Sequence, residues 1–294
     1  MLAILDFLKL PEGVRIPYLG GLWYRFISKL EMEYIRKLKL KEYPLNRQQR
    51  AERIIVSLTS FPARIHMAHY AIKSLMLQTC KPDQIILWLA EDQFKDILIP
   101  PELQELQKSG LDIRFCPDLK SHKKYYYAMK EQKDNLLITY DDDLIYPPNS
   151  IERLIKYHSK HKTCIICNRG MEITFDNAGN IKSARNWKVL SSVGAKRPSI
   201  KIMPSTGGGC LYPPNVMDDI VFNQEYITKY ALSADDIWMK AMSLLKNIKV
   251  VKTAKYHRTF SVVDNTQHVQ LSFLNDIHGQ NDVVVHNLMK LIPS

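Results

Sequence analysis

The sequence predicts an α/β protein with a mainly parallel, Rossmann-type sheet, helices on both faces and a small mixed subsheet. Two observations support this. Apolar segments rich in β-branched residues alternate with segments of helical periodicity between residues 54 and 139. In addition, 46% of the 294 residues are apolar, enough for the core of one large domain or two small ones. This composition excludes a disordered chain and a small disulfide-stapled scaffold.

The first half of the pattern is regular. Apolar runs predict strands over residues 54–58, 84–89, 111–116 and 136–139. Apolar residues at helical spacing predict helices over residues 66–78, 101–109 and 121–133. In parallel sheets of this kind ligands bind beyond the carboxyl ends of the strands, so the residues that follow each strand are the candidates for function.

The second half is less regular. Helices are predicted over residues 149–160 and 234–245, and strands over 163–167 and 249–253. Two segments of two-residue period, near 171–175 and 181–189, predict the small subsheet. The uncharged stretch 202–217 is predicted to be loop and short strand, because it contains three prolines and three glycines.

The net charge of +11 indicates an anionic partner, such as nucleic acid, a membrane surface or a phosphorylated ligand. Residues 1–50 contribute +5, so per residue they are about four times more basic than residues 51–294. We therefore treat 1–50 as a basic amphipathic segment before a main domain, 51–294. Its interleaved basic and aromatic residues suit either contact with an anionic bilayer or a helix packed on the domain with a solvated face.

The chain contains no stretch of roughly 18 apolar residues that would cross a membrane, and its start does not resemble a cleaved signal. Its five scattered cysteines, an odd number, argue against a disulfide framework. The protein is expected to be cytoplasmic, with the inner face of the plasma membrane as the one membrane it would contact.

Three consecutive aspartates, Asp141, Asp142 and Asp143, directly follow the fourth predicted strand. Neighbouring carboxylates repel one another and raise one another's pKa values, and a divalent cation removes that repulsion. Oxygen-only ligands suit Mn²⁺ or Mg²⁺, which usually keep positions open for phosphate oxygens. The alternative is a solvated acidic turn; the position at the ligand-binding edge of the sheet favours a metal site.

Two further segments carry candidate residues. Gly207, Gly208 and Gly209 do not open a helix after a strand, so they are not a dinucleotide fingerprint or a P-loop; we expect them to let a ligand approach the backbone. Asp235 and Asp236 begin a predicted helix, where they can cap the helix, take part in chemistry, or both.

The sequence resembles GT-A-fold glycosyltransferases in four features that occur in the same order. These are the end of the first strand with residues 57–64, the aspartate triplet, the glycines, and the Asp-Asp-Ile-Trp start of a helix. The resemblance covers about residues 53–253 and is to family 2-like bacterial enzymes that build surface polysaccharides such as capsule or lipopolysaccharide. It implies metal-dependent, inverting transfer of a sugar from a nucleotide sugar, with a UDP-sugar favoured, to a saccharide or lipid-linked saccharide acceptor.

The resemblance also implies roles for individual residues. The donor would contact Thr59, Ser60, Arg64, Lys123, Lys124, Asp141 and Asp142. The metal would be held by Asp141, Asp143 and His257. The general base would be Asp236 or Asp235, and the acceptor side would comprise Gly207, Gly208, Gly209 and Trp238. The chain departs from the family in two ways: Glu91 and Asp92 offer alternative bases, and the absence of a Gln-x-x-Arg-Trp element disfavours a processive polymerase.

Two other classes of protein were weighed. Residues 136–143 loosely match the hydrophobic run and DxD motif of haloacid-dehalogenase-like phosphohydrolases, but that motif usually lies on the first strand. The basic composition also permits a non-enzymatic nucleic-acid-binding module. That class gives the aspartate triplet no role, so nucleic acid is not expected as a partner.

Overall fold

The computed structural model describes residues 1–9, 19–39, 44–190, 197–253, 260–264, 266, 282 and 284. Its helices are α1 (Leu2–Leu8), α2 (Leu19–Lys37), α3 (Ala68–Met76), α4 (Glu91–Phe94), α5 (Pro101–Lys108), α6 (Lys123–Glu131), α7 (Ser150–His158), α8 (Gln224–Tyr226) and α9 (Asp235–Leu245). Its strands are β1 (Ile54–Thr59), β2 (Gln84–Ala90), β3 (Leu111–Cys116), β4 (Leu136–Tyr140), β5 (Leu144–Ile145), β6 (Ile165–Cys167), β7 (Gly170–Glu172), β8 (Lys188–Val189), β9 (Ile202–Pro204), β10 (Gly208–Tyr212), β11 (Val250–Lys252) and β12 (Ser261–Val262).

In the described part of the chain, seven strands form the central sheet in the order β11-β6-β10-β4-β1-β2-β3. Neighbouring strands are parallel except where β10 runs antiparallel to β4 and β6. The run β3-β2-β1-β4 has the order of the first half of a doubly wound sheet, so the winding reverses between β1 and β4. Ligands bind at such a switch point, beyond the carboxyl ends of the two strands.

Helices cover both faces of this sheet. Apolar side chains of α3, α5 and α7, among them Ile72, Leu106 and Leu154, join one buried cluster. Side chains of α6 and α9, among them Tyr126 and Trp238, join the cluster on the opposite face. The fold class predicted from the sequence is therefore confirmed.

Two small sheets accompany the central one. The order β8-β7-β9 forms the predicted subsheet, in which the central strand β7 is antiparallel to both of its neighbours. β12 pairs with β5, immediately after the aspartate triplet. The stretch 202–217, predicted as loop and short strand, contributes β10 to the centre of the main sheet.

The N-terminal helices pack on the domain. Ile27 and Ile35 of α2 are buried, and the Ser28 hydroxyl lies 2.7 Å from that of Ser261. α1 is tied to α2 by a buried ion pair between Lys9 and Glu31, at 2.8 Å. None of the helices in the described ranges is both long and apolar enough to cross a membrane.

Candidate active site

The carboxyl ends of β1 and β4 meet in a network of hydrogen bonds. Ser60, just after β1, donates to Asp142 Oδ2 at 2.5 Å. The Arg64 guanidinium donates to Asp142 Oδ1 and, at 2.7 Å, to Asp143 Oδ2. Since β1 and β4 are adjacent parallel strands, their register brings these residues together although about 80 residues separate them in the chain. The predicted grouping of Ser60 and Arg64 with the triplet is what the structure shows.

Burial makes Asp142 and Asp143 reluctant to ionise. Asp142 is 1% exposed, and burial raises its pKa despite the opposing charge of Arg64 and the Ser60 hydrogen bond. Burial and the neighbouring Asp141 charge raise the pKa of Asp143 to about 7. Asp142 thus anchors Ser60 and Arg64, whereas Asp141 has the most accessible carboxylate of the three, with a side chain 39% exposed.

Lys124 joins the triplet to the second acidic pair. Its buried ammonium lies 2.6 Å from Asp141 Oδ1 and 3.1 Å from Asp235 Oδ2. Although burial opposes its charge, the carboxylates of Asp141, Asp235 and Asp236 raise the pKa of Lys124, so it is a permanent cation. Two acidic motifs more than 90 residues apart are thereby part of one site.

Asp235 and Asp236 are neighbours in opposite protonation regimes. The Thr206 hydroxyl lies between them, 2.8 Å from Asp235 Oδ2 and in contact with Asp236 Oδ1, and Asp236 accepts a hydrogen bond from the Thr206 amide at 2.8 Å. Burial opposes ionisation of Asp235, but Lys124 and His122 lower its pKa to about 2. Burial and the Asp235 charge raise the pKa of Asp236 to about 7. Environments that separate two such pKa values identify Asp236 as the group able to exchange a proton near neutral pH.

The Gly207 backbone holds Asp141 in place. The Tyr146 hydroxyl donates to Gly207 O at 2.7 Å and accepts from the Asp141 amide at 2.9 Å. A Cβ on Gly207 would lie 1.7 Å from Asp141 Oδ2, so a side chain here would displace the carboxylate. At Gly208 and Gly209 the corresponding close neighbours are the side chains of other protein residues. In this structure the glycines make room for protein groups, and their predicted part in acceptor binding stays a prediction.

Other candidates lie elsewhere. Thr59 is at the end of β1, but its hydroxyl donates to Trp88 O. Lys123 pairs with Asp118 at 2.5 Å, away from the triplet, because successive helix residues point in different directions. The prediction that Trp238 lines the acceptor side is wrong: its ring is fully buried and its Nε1 donates to Val221 O.

The alternative bases and the predicted histidine ligand are not part of the described site. Glu91 and Asp92 are exposed in the first turn of α4, after β2, and within the described residues neither is an ion-pair partner of Lys124, which pairs with Asp141 and Asp235. His257, predicted as a metal ligand, lies outside the described residues. Thr206 and Tyr146 were missed by sequence reasoning. Neither belongs to a motif, and their roles depend on contacts with residues far along the chain.

The described residues contain no cluster of three His, Cys, Asp or Glu side chains arranged to hold a metal alone. Mg²⁺-type cations are commonly held by one or two carboxylates together with substrate phosphates, so this donor set does not need to be complete. Arg64 and Lys124 are paired with Asp142 and Asp141, and a divalent cation would take the place of the proton that burial favours on Asp143. Asp141 and Asp143 therefore fit as its protein ligands.

No family model matches the chain, and no curated protein matches it. Among solved structures, the chain is similar to CMP:2-keto-3-deoxy-manno-octonic acid synthetase complexed with CTP. That similarity has a TM-score of 0.44 and 10% sequence identity, and it covers 78% of this chain and all of that chain.

Proposed function

We propose that the protein is a metal-dependent glycosyltransferase that moves a sugar from a nucleotide sugar to a saccharide or lipid-linked saccharide acceptor, in the assembly of a surface polysaccharide. The observation that carries this proposal is the Lys124 bridge between Asp141 and Asp235. At the switch point of the sheet, this bridge joins the aspartate triplet, which is suited to a cation, to the pair Asp235 and Asp236, which is suited to proton transfer.

The donor diphosphate is assigned to the Asp141 side of the site. Asp141 and Asp143 would hold Mn²⁺ or Mg²⁺, which when bound neutralises negative charge on the departing nucleoside diphosphate. Arg64 and Lys124 supply fixed positive charge beside it. The loop that begins at Ser60 and carries Arg64 is anchored to Asp142, and Lys124 of α6 is held by Asp141 and Asp235, so both cations are in place before a ligand arrives.

Asp236 is assigned as the general base. It accepts the proton of the acceptor hydroxyl as that oxygen bonds to the anomeric carbon, while the bond from that carbon to the diphosphate oxygen breaks. This single displacement inverts the configuration. Asp235, held ionised by Lys124, is the worse proton acceptor and instead keeps the pKa of its neighbour high. Transfer is expected to rise as pH increases through about 7, since Asp236 must be ionised to act.

The donor assignment is tested by a thermal-shift screen of nucleotide sugars with and without Mn²⁺. Metal-dependent stabilisation by one nucleotide sugar would support the class and identify the donor. A phosphate ester assayed in parallel separates the phosphohydrolase alternative, because only that enzyme would release phosphate from it.

The base assignment is tested by comparing Asp236→Asn with Asp235→Asn. Asp236→Asn should reduce kcat by at least about 100-fold with little change in donor affinity, since general-base catalysis contributes a factor of this order. An Asp236→Asn enzyme with the wild-type rate and pH profile would remove Asp236 from the mechanism.

A further inference from the structure

The outer surface of the N-terminal helices is apolar and open to solvent. Ile4 and Phe7 of α1 are 61% and 71% exposed, and Leu22 and Phe26 of α2 are 64% and 54% exposed. Trp23 is 41% exposed and its Nε1 donates to Leu8 O, which links the two helices on this side. We call this set the outer apolar face; its members are Ile4, Phe7, Leu8, Leu22, Trp23, Phe26 and Leu30.

This face is separate from the one that holds α2 on the domain. Residues 22, 23, 26 and 30 follow helical spacing and lie on one stripe, whereas Ile27 and Ile35 point into the core. Tyr24 fastens the inner side, because its hydroxyl donates to Phe260 O and accepts from the Val262 amide. Docking on the domain therefore leaves the outer apolar face exposed to solvent.

Positive charge borders the same stripe. Arg25 and Lys29 are exposed, and the 3.6-residue period places them along one edge of the outer apolar face; Arg36 lies further along this edge in an ion pair with Glu33. Glu31, by contrast, is buried against Lys9. The surface that α2 offers to a partner thus combines large apolar side chains with a cationic margin.

We propose that the outer apolar face of α1 and α2 binds the surface of an anionic lipid bilayer. Helices with Trp, Phe and Leu on one side and Lys or Arg beside them lie in the headgroup region, with the apolar side chains below the phosphates. A second copy of the chain fits less well. In a two-fold interface each patch would face its own equivalent, and Glu33, an anion near this edge of α2, is already paired with Arg36 and Lys37, whereas lipid phosphates offer Arg25 and Lys29 new counter-charges.

The test uses the full chain and Trp23 as an internal reporter. The other three tryptophans, Trp88, Trp187 and Trp238, are buried. Added vesicles of equal parts phosphatidylglycerol and phosphatidylcholine should shift the tryptophan emission to shorter wavelength, and the protein should float with them. Phosphatidylcholine vesicles alone should bind it much more weakly. Equal binding to both vesicles, or binding to neither, would overturn the proposal.

Paired variants localise the contact. Leu22→Ser with Phe26→Ser should lower vesicle partitioning by about tenfold or more. Leu98→Ser with Phe115→Ser makes the same chemical change at exposed apolar residues elsewhere and should leave partitioning unchanged. Equal unfolding midpoints would show that both variants fold.

Charge-reversal variants test whether the basic residues beside the outer apolar face contribute to binding. Arg25→Glu with Lys29→Glu should weaken binding to the anionic vesicles by about tenfold or more. The control, Lys133→Glu with Lys160→Glu, makes the same change of net charge at two exposed lysines elsewhere and should have a smaller effect. Equal losses would mean that net charge, not this face, drives binding.

Light scattering measures the oligomeric state. A dimer that Leu22→Ser with Phe26→Ser converts to a monomer would assign the face to self-association and refute the proposal. Because no readout involves sugar transfer, these outcomes do not depend on the proposed function.

Discussion

At the scale of single residues, Lys124 determines how the site is assembled. Its neighbour Lys123 has the same side chain and is also buried, yet it pairs with Asp118 and does not contact the triplet. Two adjacent lysines on α6 therefore serve different carboxylates. Substitutions of Lys123 and Lys124 are therefore a matched pair of variants, since the two residues have the same side chain and adjacent positions.

Lys124→Met should reduce kcat/KM by at least about 100-fold, because it removes a fixed positive charge beside the proposed leaving group. It should also lower the free energy of unfolding by about 3 kcal/mol, since two carboxylates lose their buried counter-ion. Lys123→Met should affect stability and leave transfer largely intact. Steady-state kinetics and urea unfolding measure both effects. Equal loss of transfer in the two variants would mean that Lys124 has no special role.

Gly207 provides the second residue-scale prediction. Gly207→Ala should displace the Asp141 carboxylate, because the new Cβ would lie 1.7 Å from Asp141 Oδ2. Affinity for a nucleoside diphosphate with Mn²⁺, measured by calorimetry, is expected to fall at least about tenfold. Gly21→Ala is the control: a Cβ there meets nothing within 4 Å, and alanine favours the helix by up to about 1 kcal/mol. Unchanged diphosphate affinity in Gly207→Ala would show that the position of Asp141 does not matter.

At the scale of elements, the sequence predicts what depends on local periodicity. The predicted strand 84–89 is β2, Gln84–Ala90, and the predicted helix 234–245 is α9, Asp235–Leu245. β10 was not predicted as a central strand. Its first residues, Gly208 and Gly209, have little strand preference, and it is held by long-range pairing with β4 and β6. Such pairing leaves no periodic signal in the strand itself.

The α1–α2 pair depends on a buried ion pair, which gives an element-scale prediction. Lys9→Ala leaves Glu31, 1% exposed, without its counter-charge, so α1 should separate from α2. Hydrogen exchange should then be faster over residues 2–8, while β1 and β4 keep their protection. Lys9→Met combined with Glu31→Leu should restore slow exchange, because no unpaired charge remains. Unchanged exchange of α1 in Lys9→Ala would show that apolar contacts alone hold it.

At the scale of the whole molecule, the site combines side chains from residues 60 to 236. The sequence indicated the triplet and the second acidic pair separately, and a family resemblance was needed to place them together. The same resemblance misplaced Trp238, because a motif gives an order of residues but not the direction of a side chain. Contacts such as that of Thr206 with Asp236 exist only after the sheet has formed.

The charge of the molecule is likewise divided. The chain is basic overall, yet the site at the switch point is acidic and α2 presents cations beside apolar side chains. These two regions are connected: Tyr24 of α2 bonds to Val262 of β12, and the next residue, Val263, donates to Asp143 O at 2.8 Å. A helix at a lipid surface would thus hold the site at a fixed depth relative to that surface.

The acidic site should determine how stability depends on pH. In the folded protein Asp143 and Asp236 have pKa values of about 7, raised from 3.8, so between these values the folded state binds more protons than the unfolded state. Stability is therefore greatest at low pH with respect to these groups and is lost as pH rises through about 7. A cation bound at Asp143 competes with protons and so binds more tightly as pH rises.

We expect the unfolding midpoint without divalent cations to fall between pH 6 and pH 8, by roughly 3 °C for each 1 kcal/mol of lost stability. Excess Mn²⁺ should reduce or reverse this fall, because binding to the folded state stabilises most where Asp143 is ionised. Asp143→Asn should make the decline smaller, since Asp236 alone would still contribute, and should abolish the effect of Mn²⁺. Asp134→Asn, at an exposed position, should alter neither. An identical decline with and without Mn²⁺ would contradict the metal assignment. An unfolding midpoint that did not fall at all would contradict the raised pKa values of Asp143 and Asp236.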